Sequence, residues 1–404
     1  MYSLSREWLI GYNQGRIILV NKKVGVAAQY LSYYSSLCLA ALTLYNDREE
    51  AAKFLLDQKM VMKLDDAKSI LKYAELKMSD FLEVAEIKEG KRIRKDKLYR
   101  QELNSLILRT EEPIKAVIVP TWECDRNCKY CYVRKYNRSE KKIRLEVMLL
   151  RLEEAIDNGL QQVEIFGGEP LVFAFEQTCS IIELLTNRNV SVIVSSKSRI
   201  SDEKAQALSK AGLKKIQLSL DTLNDKYARY LGYPKSFKDD FEFSLEALKR
   251  YGIKVSVNTV LYDETQQKIS ELKEYVYNRG VDEFTLSPYR NAGCNIQRSK
   301  HTARPLCESG RFSIFILPNG QCTYCDQLVE EKSFRFGNLE KQTIQEIWDS
   351  HELKNLISPK KSYFNGTKCM RCEKFSECSS KGFCYPENIR NGFFTSDSRC
   401  MRKD

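Results

Sequence analysis

Between residues 115 and 290 the chain alternates six times between a short β-forming run and a helical stretch, and this rhythm constrains the fold more than any other feature. Strands are predicted at 115–119, 162–166, 190–194, 215–220, 254–260 and 283–287. In the first helix between them, Leu145, Met148, Leu149, Leu152 and Ile156 recur on one face at helical spacing. Successive units of this kind imply an α/β fold with a parallel sheet, either open and doubly wound or closed as a partial barrel. In either arrangement ligands gather beyond the carboxyl ends of the strands.

The remaining sequence narrows the function. A chain of 404 residues with 43% apolar content is long for one domain and can bury a large core. Its net charge of +11 is spread along the chain, which reads as a solvated surface and selects neither nucleic acid nor membrane. No amino-terminal signal pattern precedes the first strands. The most apolar segment, 30–45, is shorter than a membrane span and is interrupted by Ser32, Ser35 and Ser36. A cytoplasmic protein is expected. In that compartment fourteen cysteines point to metal rather than disulfides. With only two histidines, His301 and His351, mixed Cys/His zinc sites and histidine-centred hydrolysis are poor explanations.

The chemistry is concentrated directly after the first strand, in Cys124-Asp-Arg-Asn-Cys128-Lys-Tyr-Cys131. Three thiolates on one short loop can ligate three irons of a [4Fe-4S] cube and leave the fourth open. A zinc knuckle would need a fourth ligand nearby, and none is present. The spacing, with Tyr130 as the aromatic before the third cysteine, resembles the signature of the radical S-adenosylmethionine (AdoMet) superfamily, and the resemblance covers the whole 115–290 core. Gly167-Gly168-Glu169-Pro170, ending the second strand, is similar to the family's GGEP motif, which implies that Glu169 holds the AdoMet amino group. Ser219 and Asp221 resemble its ribose-contacting SxD element, and Arg229 corresponds to the arginine that approaches the cofactor carboxylate. The third strand ends Val194-Ser195-Ser196-Lys197 where relatives often carry Thr-Asn-Gly, with Ser195 and Ser196 as candidate cofactor contacts. Cys124, Gly167, Ser195 and Ser219 all fall at predicted strand ends, so one rim should collect them. The resemblance implies a partial (β/α)6 barrel in which a reduced cluster cleaves AdoMet to a 5′-deoxyadenosyl radical.

Beyond about residue 300 cysteines become dense and apolar periodicity weakens, as in a segment folded around metal. Cys307, Gly320 and Cys325, followed by Cys369-x2-Cys372-x5-Cys378, Cys384 and Cys400, resemble the SPASM extension of peptide-modifying radical enzymes. That resemblance implies two auxiliary [4Fe-4S] clusters, three in all: one held by Cys369, Cys372, Cys378 and Cys400, the other by Cys307, Cys325 and Cys384. Cys322 and Cys294 are the two candidates to close the latter, the alternative being an open iron available to a substrate thiolate. The gap from Cys378 to Cys384 is five residues where the family commonly has three. Asp326, next to Cys325, matches a proton-accepting aspartate of sulfatase-maturing relatives, and reads equally as a hydrogen-bonding neighbour of a ligand. Cys38 and Cys179 lie in apolar helices and read as inert buried thiols.

The first 90 residues open with strand-like runs at 7–12 and 16–21 around Asn13-Gln14-Gly15, a hairpin turn, followed by helical patterns at 27–44, 48–58 and 64–84. This is similar to the winged-helix recognition element of peptide maturases, which adds a leader-peptide strand to a sheet edge, with 17–20 suiting the sheet side. Four regions are therefore expected: leader recognition over 1–90, a linker over 91–114, the radical core over 115–295 and the auxiliary-cluster domain over 296–404. The expected function is crosslinking of a ribosomally made precursor peptide through cysteine thioethers, with flavodoxin or ferredoxin as electron donor. A formylglycine-generating sulfatase maturase and a non-enzymatic iron–sulfur or zinc winged-helix regulator are the alternatives.

Overall fold

The computed structural model describes residues 2–22, 28–84, 93–101, 108–131, 141–261, 263–288, 306–388, 392–396 and 400. Cys294 lies outside them. The amino-terminal region comprises β1 (Tyr2–Leu4), β2 (Trp8–Asn13), β3 (Arg16–Asn21), β4 (Ala28–Tyr30), α1 (Tyr33–Leu44), α2 (Arg48–Asp57), α3 (Leu64–Lys77) and β5 (Leu82–Val84). The β2–β3 turn forms as the sequence dictates, with Gln14 at φ 50° and Gly15 at φ 73°. A Cβ at Gly15 would also stand 1.9 Å from the Tyr99 carbonyl oxygen, so glycine is required there twice over.

Two boundaries differ from the sequence expectation. The helix expected from residue 27 begins at Tyr33, because Ser32 caps it by accepting from the Ser35 N–H (3.0 Å), and Ala28–Tyr30 instead pairs with β3. The helix expected over 64–84 stops at Lys77, and β5 turns back to pair antiparallel with β1. The run Ile17 to Val20 is not at a sheet edge. It lies in the central strand of the order β2-β3-β4. Its alternate side chains serve two cores: Ile17 and Leu19 face the local helices, whereas Ile18 and Val20 pack with Ile114 and Phe312 of the main body. Burial on both sides explains a continuous apolar run where a half-exposed strand would alternate.

The main body is built from β6 (Lys115–Ile118), α4 (Leu145–Asn158), β7 (Gln162–Ile165), α5 (Pro170–Phe173), α6 (Phe175–Asn187), β8 (Ser191–Ser196), α7 (Asp202–Lys210), β9 (Lys215–Ser219), α8 (Asp225–Leu231), α9 (Phe237–Arg250), β10 (Lys254–Leu261), α10 (Asp263–Asn278) and β11 (Glu283–Pro288). These six strands are parallel and run in sequential order, β11-β10-β9-β8-β7-β6, the order of the partial barrel that the family resemblance implies and not that of a doubly wound sheet. In sequentially ordered parallel strands, the right-handed crossover rule puts the connecting helices on one face. That face is apolar: Val163, Ile165, Val192, Val194, Ile216, Leu218, Val255 and Val257 are buried in the core. The other face, free of crossover helices, carries half-buried polar groups. Gln217 Nε2 donates to Ser195 Oγ (3.0 Å), and Asn258 Oδ1 accepts from Thr285 Oγ1 (3.1 Å) and Ser287 Oγ (2.8 Å).

The sheet does not end with the core. β12 (Ser313–Ile316) pairs parallel with β6, and β13 (Gln321–Thr323) and β14 (Arg335–Asn338) continue it antiparallel to nine strands. Among the described residues, four helices, α11 (Ile344–Trp348), α12 (His351–Ile357), α13 (Phe375–Lys381) and α14 (Tyr385–Asn388), complete the carboxyl-terminal region. Among the described residues, no helix is long and apolar enough to cross a membrane.

Candidate active site

The rim at the carboxyl ends of the strands is organised around two buried carboxylates. Glu169 follows β7 and is 1% exposed. Its carboxylate accepts from Ser196 Oγ (2.8 Å), the Lys197 N–H (2.9 Å) and the Ser198 N–H (3.2 Å), tying β7 to the end of β8. Burial pushes its carboxyl up, and these bonds only partly offset it. The preceding glycines are steric necessities. A Cβ at Gly168 would come within 2.1 Å of the Glu123 carbonyl oxygen, and one at Gly167, whose φ is 145°, within 2.6 Å of Val119 Cγ1. The Gly168 and Glu169 N–H groups donate to the carbonyls of Thr121 (2.9 Å) and Glu123 (2.8 Å). The GGEP turn is thereby pressed against the segment leading into the cysteine loop.

Asp221, two residues past β9, is fully buried. Its Oδ1 accepts from the Val260 N–H (2.7 Å), and its Oδ2 from Tyr130 OH (2.5 Å), Lys197 Nζ (3.0 Å) and the Tyr233 phenol. Burial alone would raise this carboxyl, but the Lys197 ammonium and the two phenols outweigh it and hold it below the ordinary carboxylate range. Tyr130 thus bridges the cysteine loop to the SxD element.

The cysteine loop is anchored by its backbone. The Cys131 N–H donates to the Cys128 carbonyl (3.1 Å), the Lys129 N–H to the Leu231 carbonyl (3.0 Å), and the Arg126 N–H to Cys124 Sγ (3.4 Å). Cys124, Cys128 and Cys131 carry no disulfide and feel one another electrostatically along the loop, Cys124 with Cys128 and Cys128 with Cys131. Burial pushes the Cys124 thiol up to about 11 and raises Cys128 as well. Thiols so placed ionise readily only with a cation to bind, and a triplet of sulfur donors under a glycine cradle fits a [4Fe-4S] cube. Among the described residues, no three Cys, His, Asp or Glu side chains converge tightly enough for a single metal ion.

The other expected site residues divide. Ser219 lines the same cavity as Ser196, Lys197 and Ser198 at the rim. Ser195 points to the opposite face of β8 from Ser196, towards Gln217, so Ser196 is the hydroxyl that meets Glu169. Arg229 is exposed on α8, its Nε donating to the Asp225 carbonyl of its own helix (3.2 Å) rather than reaching the rim. Lys197 and Tyr233 are central to the geometry and were not among the expected site residues. For Lys197 the signal was its place in the departure from Thr-Asn-Gly; Tyr233 carries none.

In the carboxyl-terminal region Cys369 feels Cys372, Cys378 and Cys400, as one four-thiol site requires. Cys325 feels Cys307, and its Sγ donates to Asp326 Oδ1 (3.2 Å). The Cys307 N–H donates to the Lys381 carbonyl (3.1 Å), and Gly382 packs on Cys307, which brings the segment bearing Cys384 alongside. The longer gap before Cys384 is taken up by α13, which carries Cys378, and by the turn at Gly382 (φ 81°). Cys322 does not join this group. It is wholly buried in the apolar core, and burial alone raises its thiol. Cys38 and Cys179 are both pushed up to about 11 by burial in their helices.

Comparison with known proteins agrees with this geometry. A family profile described as the Radical SAM superfamily matches residues 118–276. Residues 118–276 thus form a radical SAM domain. A second profile, the SPASM iron–sulfur cluster-binding domain, matches residues 307–373. Among curated relatives, the GTP 3′,8-cyclase of Helicobacter pylori (strain HPAG1) is 29% identical over 166 residues, 40% of this chain and 51% of its own. The chain therefore spans about half the length of the curated relatives it matches. Among solved structures, Streptococcus suis SuiB bound to S-adenosylmethionine is similar at TM-score 0.68 and 18% identity, covering 99% of this chain and 100% of its own. SuiB bound to the precursor peptide SuiA gives TM-score 0.66 and 16% identity over 100% of both chains.

Proposed function

We propose that this radical SAM enzyme modifies a ribosomally made precursor peptide, most concretely by joining a cysteine sulfur to a peptide carbon as a thioether. The observation that carries the reading is the extent of the likeness to SuiB. It runs over the whole chain, amino-terminal region included, whereas the cyclase relatives match only the radical core. In this reading Cys124, Cys128 and Cys131 hold the cluster that engages AdoMet. Two auxiliary clusters are held by Cys369, Cys372, Cys378 and Cys400, and by Cys307, Cys325 and Cys384. When bound, the cluster and AdoMet together supply a one-electron cleavage and a carbon radical that abstracts hydrogen.

This chain's own residues do the positioning. Glu169 presents a buried carboxylate to the cofactor ammonium. Tyr130, Asp221 and Tyr233 close the rim around the ribose. The polar face of β8–β11, with Ser195, Gln217 and Asn258, offers hydrogen bonds to an extended peptide backbone. Asp326 accepts a proton from the substrate or steadies Cys325. Residues 1–90 recognise the leader. The outer edge of β2 is occupied, since Gln161 bonds Ile10 N–H (3.0 Å) and the Glu111 N–H bonds the Tyr12 carbonyl (2.8 Å). A leader strand would therefore add to β4.

Mass spectrometry of a small cysteine-containing peptide encoded beside this gene, after anaerobic incubation with AdoMet and reductant, tests the proposal. Loss of two mass units per crosslink, with thiols protected from alkylation, is expected. Cysteine or serine converted to formylglycine would favour the sulfatase-maturase reading, for which the Cys325–Asp326 pair speaks. Absence of 5′-deoxyadenosine would refute both.

A further inference from the structure

A largely enclosed cation sits beside the cysteine loop, on the residue that follows β8. Lys197 Nζ lies 2.6 Å from Tyr233 OH, 3.0 Å from Asp221 Oδ2 and 4.0 Å from Cys128 Sγ, and it donates to the Tyr130 phenol. It also stands over both rings, 4.7 Å from the Tyr130 centroid and 4.5 Å from that of Tyr233. The ammonium is therefore caged by two aromatic faces, two phenol oxygens and one carboxylate, with 17% of its side chain exposed against 0% for Asp221. Such a cage fixes both its charge and its position. The ammonium faces the Cys128 sulfur directly, whereas Asp221 meets the cysteine loop through the Tyr130 phenol.

We propose that Lys197 is a positioning residue for the electron: its caged ammonium raises the reduction potential of the cube held by Cys124, Cys128 and Cys131. Adding one electron makes the cube and its thiolates more negative by one charge. A fixed cation in a site poor in water stabilises that reduced state more than the oxidised one. The Asp221 carboxylate, paired with the same ammonium, opposes the effect. No bond forms or breaks; one electron passes from an external one-electron reductant to the cube. The inference rests on the cysteine triplet being the cube's ligands, which iron and sulfide analysis checks separately.

The test is a redox titration of the full reconstituted chain with dithionite, followed by electron paramagnetic resonance. The component whose signal changes when AdoMet is added to parallel samples reports this cube rather than the auxiliary ones. Lys197→Met is expected to lower its reduced-to-oxidised ratio at fixed potential about tenfold, which is 59 mV for one electron. Lys197→Arg should stay within about twofold of the parent, since the charge is kept. Asp221→Asn should shift the ratio upwards, opposite in sign, because it removes the opposing carboxylate. A lysine that only staples loops together predicts no such opposition. The proposal is overturned if Lys197→Met keeps its iron and its ratio. It is equally overturned if Asp221→Asn fails to raise the ratio, an arm that decides the matter even where Lys197→Met does not fold.

Discussion

Glu169 allows the structural role of its carboxylate to be separated from the cofactor-binding role proposed for it. Its Oε2 receives two backbone N–H groups, from Lys197 (2.9 Å) and Ser198 (3.2 Å), and its Oε1 receives the Ser196 hydroxyl. In Glu169→Gln the amide oxygen can take the two N–H groups and the amide nitrogen can donate to Ser196 Oγ, so the local bonds survive and only the charge is lost. In Glu169→Ala all three lose their acceptor. The Ser196 hydroxyl can rotate, and the Ser198 N–H already has a second partner in Ser196 Oγ (3.2 Å), so the Lys197 N–H is the donor left orphaned. One buried donor without a partner costs roughly 1–3 kcal/mol. Thermal unfolding under matched cluster content should therefore leave Glu169→Gln near the parent and Glu169→Ala lower by about that amount. AdoMet binding by equilibrium dialysis should weaken in both. For Glu169→Gln the loss is about 1.4 kcal/mol, roughly tenfold in Kd, the difference between a charged and a neutral acceptor for the cofactor ammonium. Parental AdoMet affinity in Glu169→Gln would sink the assignment of this carboxylate to the cofactor, whatever the unfolding data.

Two further outcomes follow from burial. Cys322→Ala should keep the full iron content, since Cys322 stands in the apolar core, whereas Cys325→Ala should lose about one cube of four irons; equal iron loss in the two would contradict the division made above. Tyr12 is 5% exposed, and burial pushes its phenol up to about 12 against the usual ~10. Between those values the unfolded chain has released a proton that the folded one keeps, so stability falls as pH rises. The component is about 3 kcal/mol, present below pH ~10 and gone above ~12. Denaturant melts should show a shallower alkaline decline in Tyr12→Phe, and parallel declines would refute the linkage.

Much of the core was legible because each strand combines two local signals, apolar alternation and a turn-forming end. All six strands lie within two residues of their expected bounds, and the cysteine loop, the GGEP turn and the SxD element meet on one rim. What local pattern could not supply was which neighbour a segment would find. Residues 28–30 have no strand signature apart from β3 beside them, and 82–84 none apart from β1. Arg229 has the spacing of a cofactor arginine, but helix α8 turns it to solvent, a matter of a rotation that sequence spacing does not determine. Cys322 sits between Gly320 and Cys325 in sequence. Strand alternation nevertheless sends its side chain into the core, because Cys322 pairs with Ile316 and shares its burial.

The position of the auxiliary-cluster region relative to the radical core is set by hydrogen bonds rather than by a tether. β12 continues the sheet beyond β6 from Ser313↔Lys115 to Ile316↔Ile118, and Lys115 Nζ reaches Glu308 across the same junction (2.7 Å). Arg311, with no exposed surface, donates to the carbonyls of Leu108 (3.2 Å), Ile357 (3.0 Å) and Ser379 (2.8 Å), joining the connector, α12 and α13 at one guanidinium. Arg109 lies over the Trp348 ring at 4.5 Å and donates to the Gly310 carbonyl (2.9 Å). A strand ladder and a buried five-donor side chain deform little compared with a flexible linker. Cys307, four residues before Arg311, is thereby held at a fixed offset from the strand that leads into Cys124. Motion needed to admit a substrate must then come from elements outside this junction, since opening here would strip several backbone carbonyls of their donors at once.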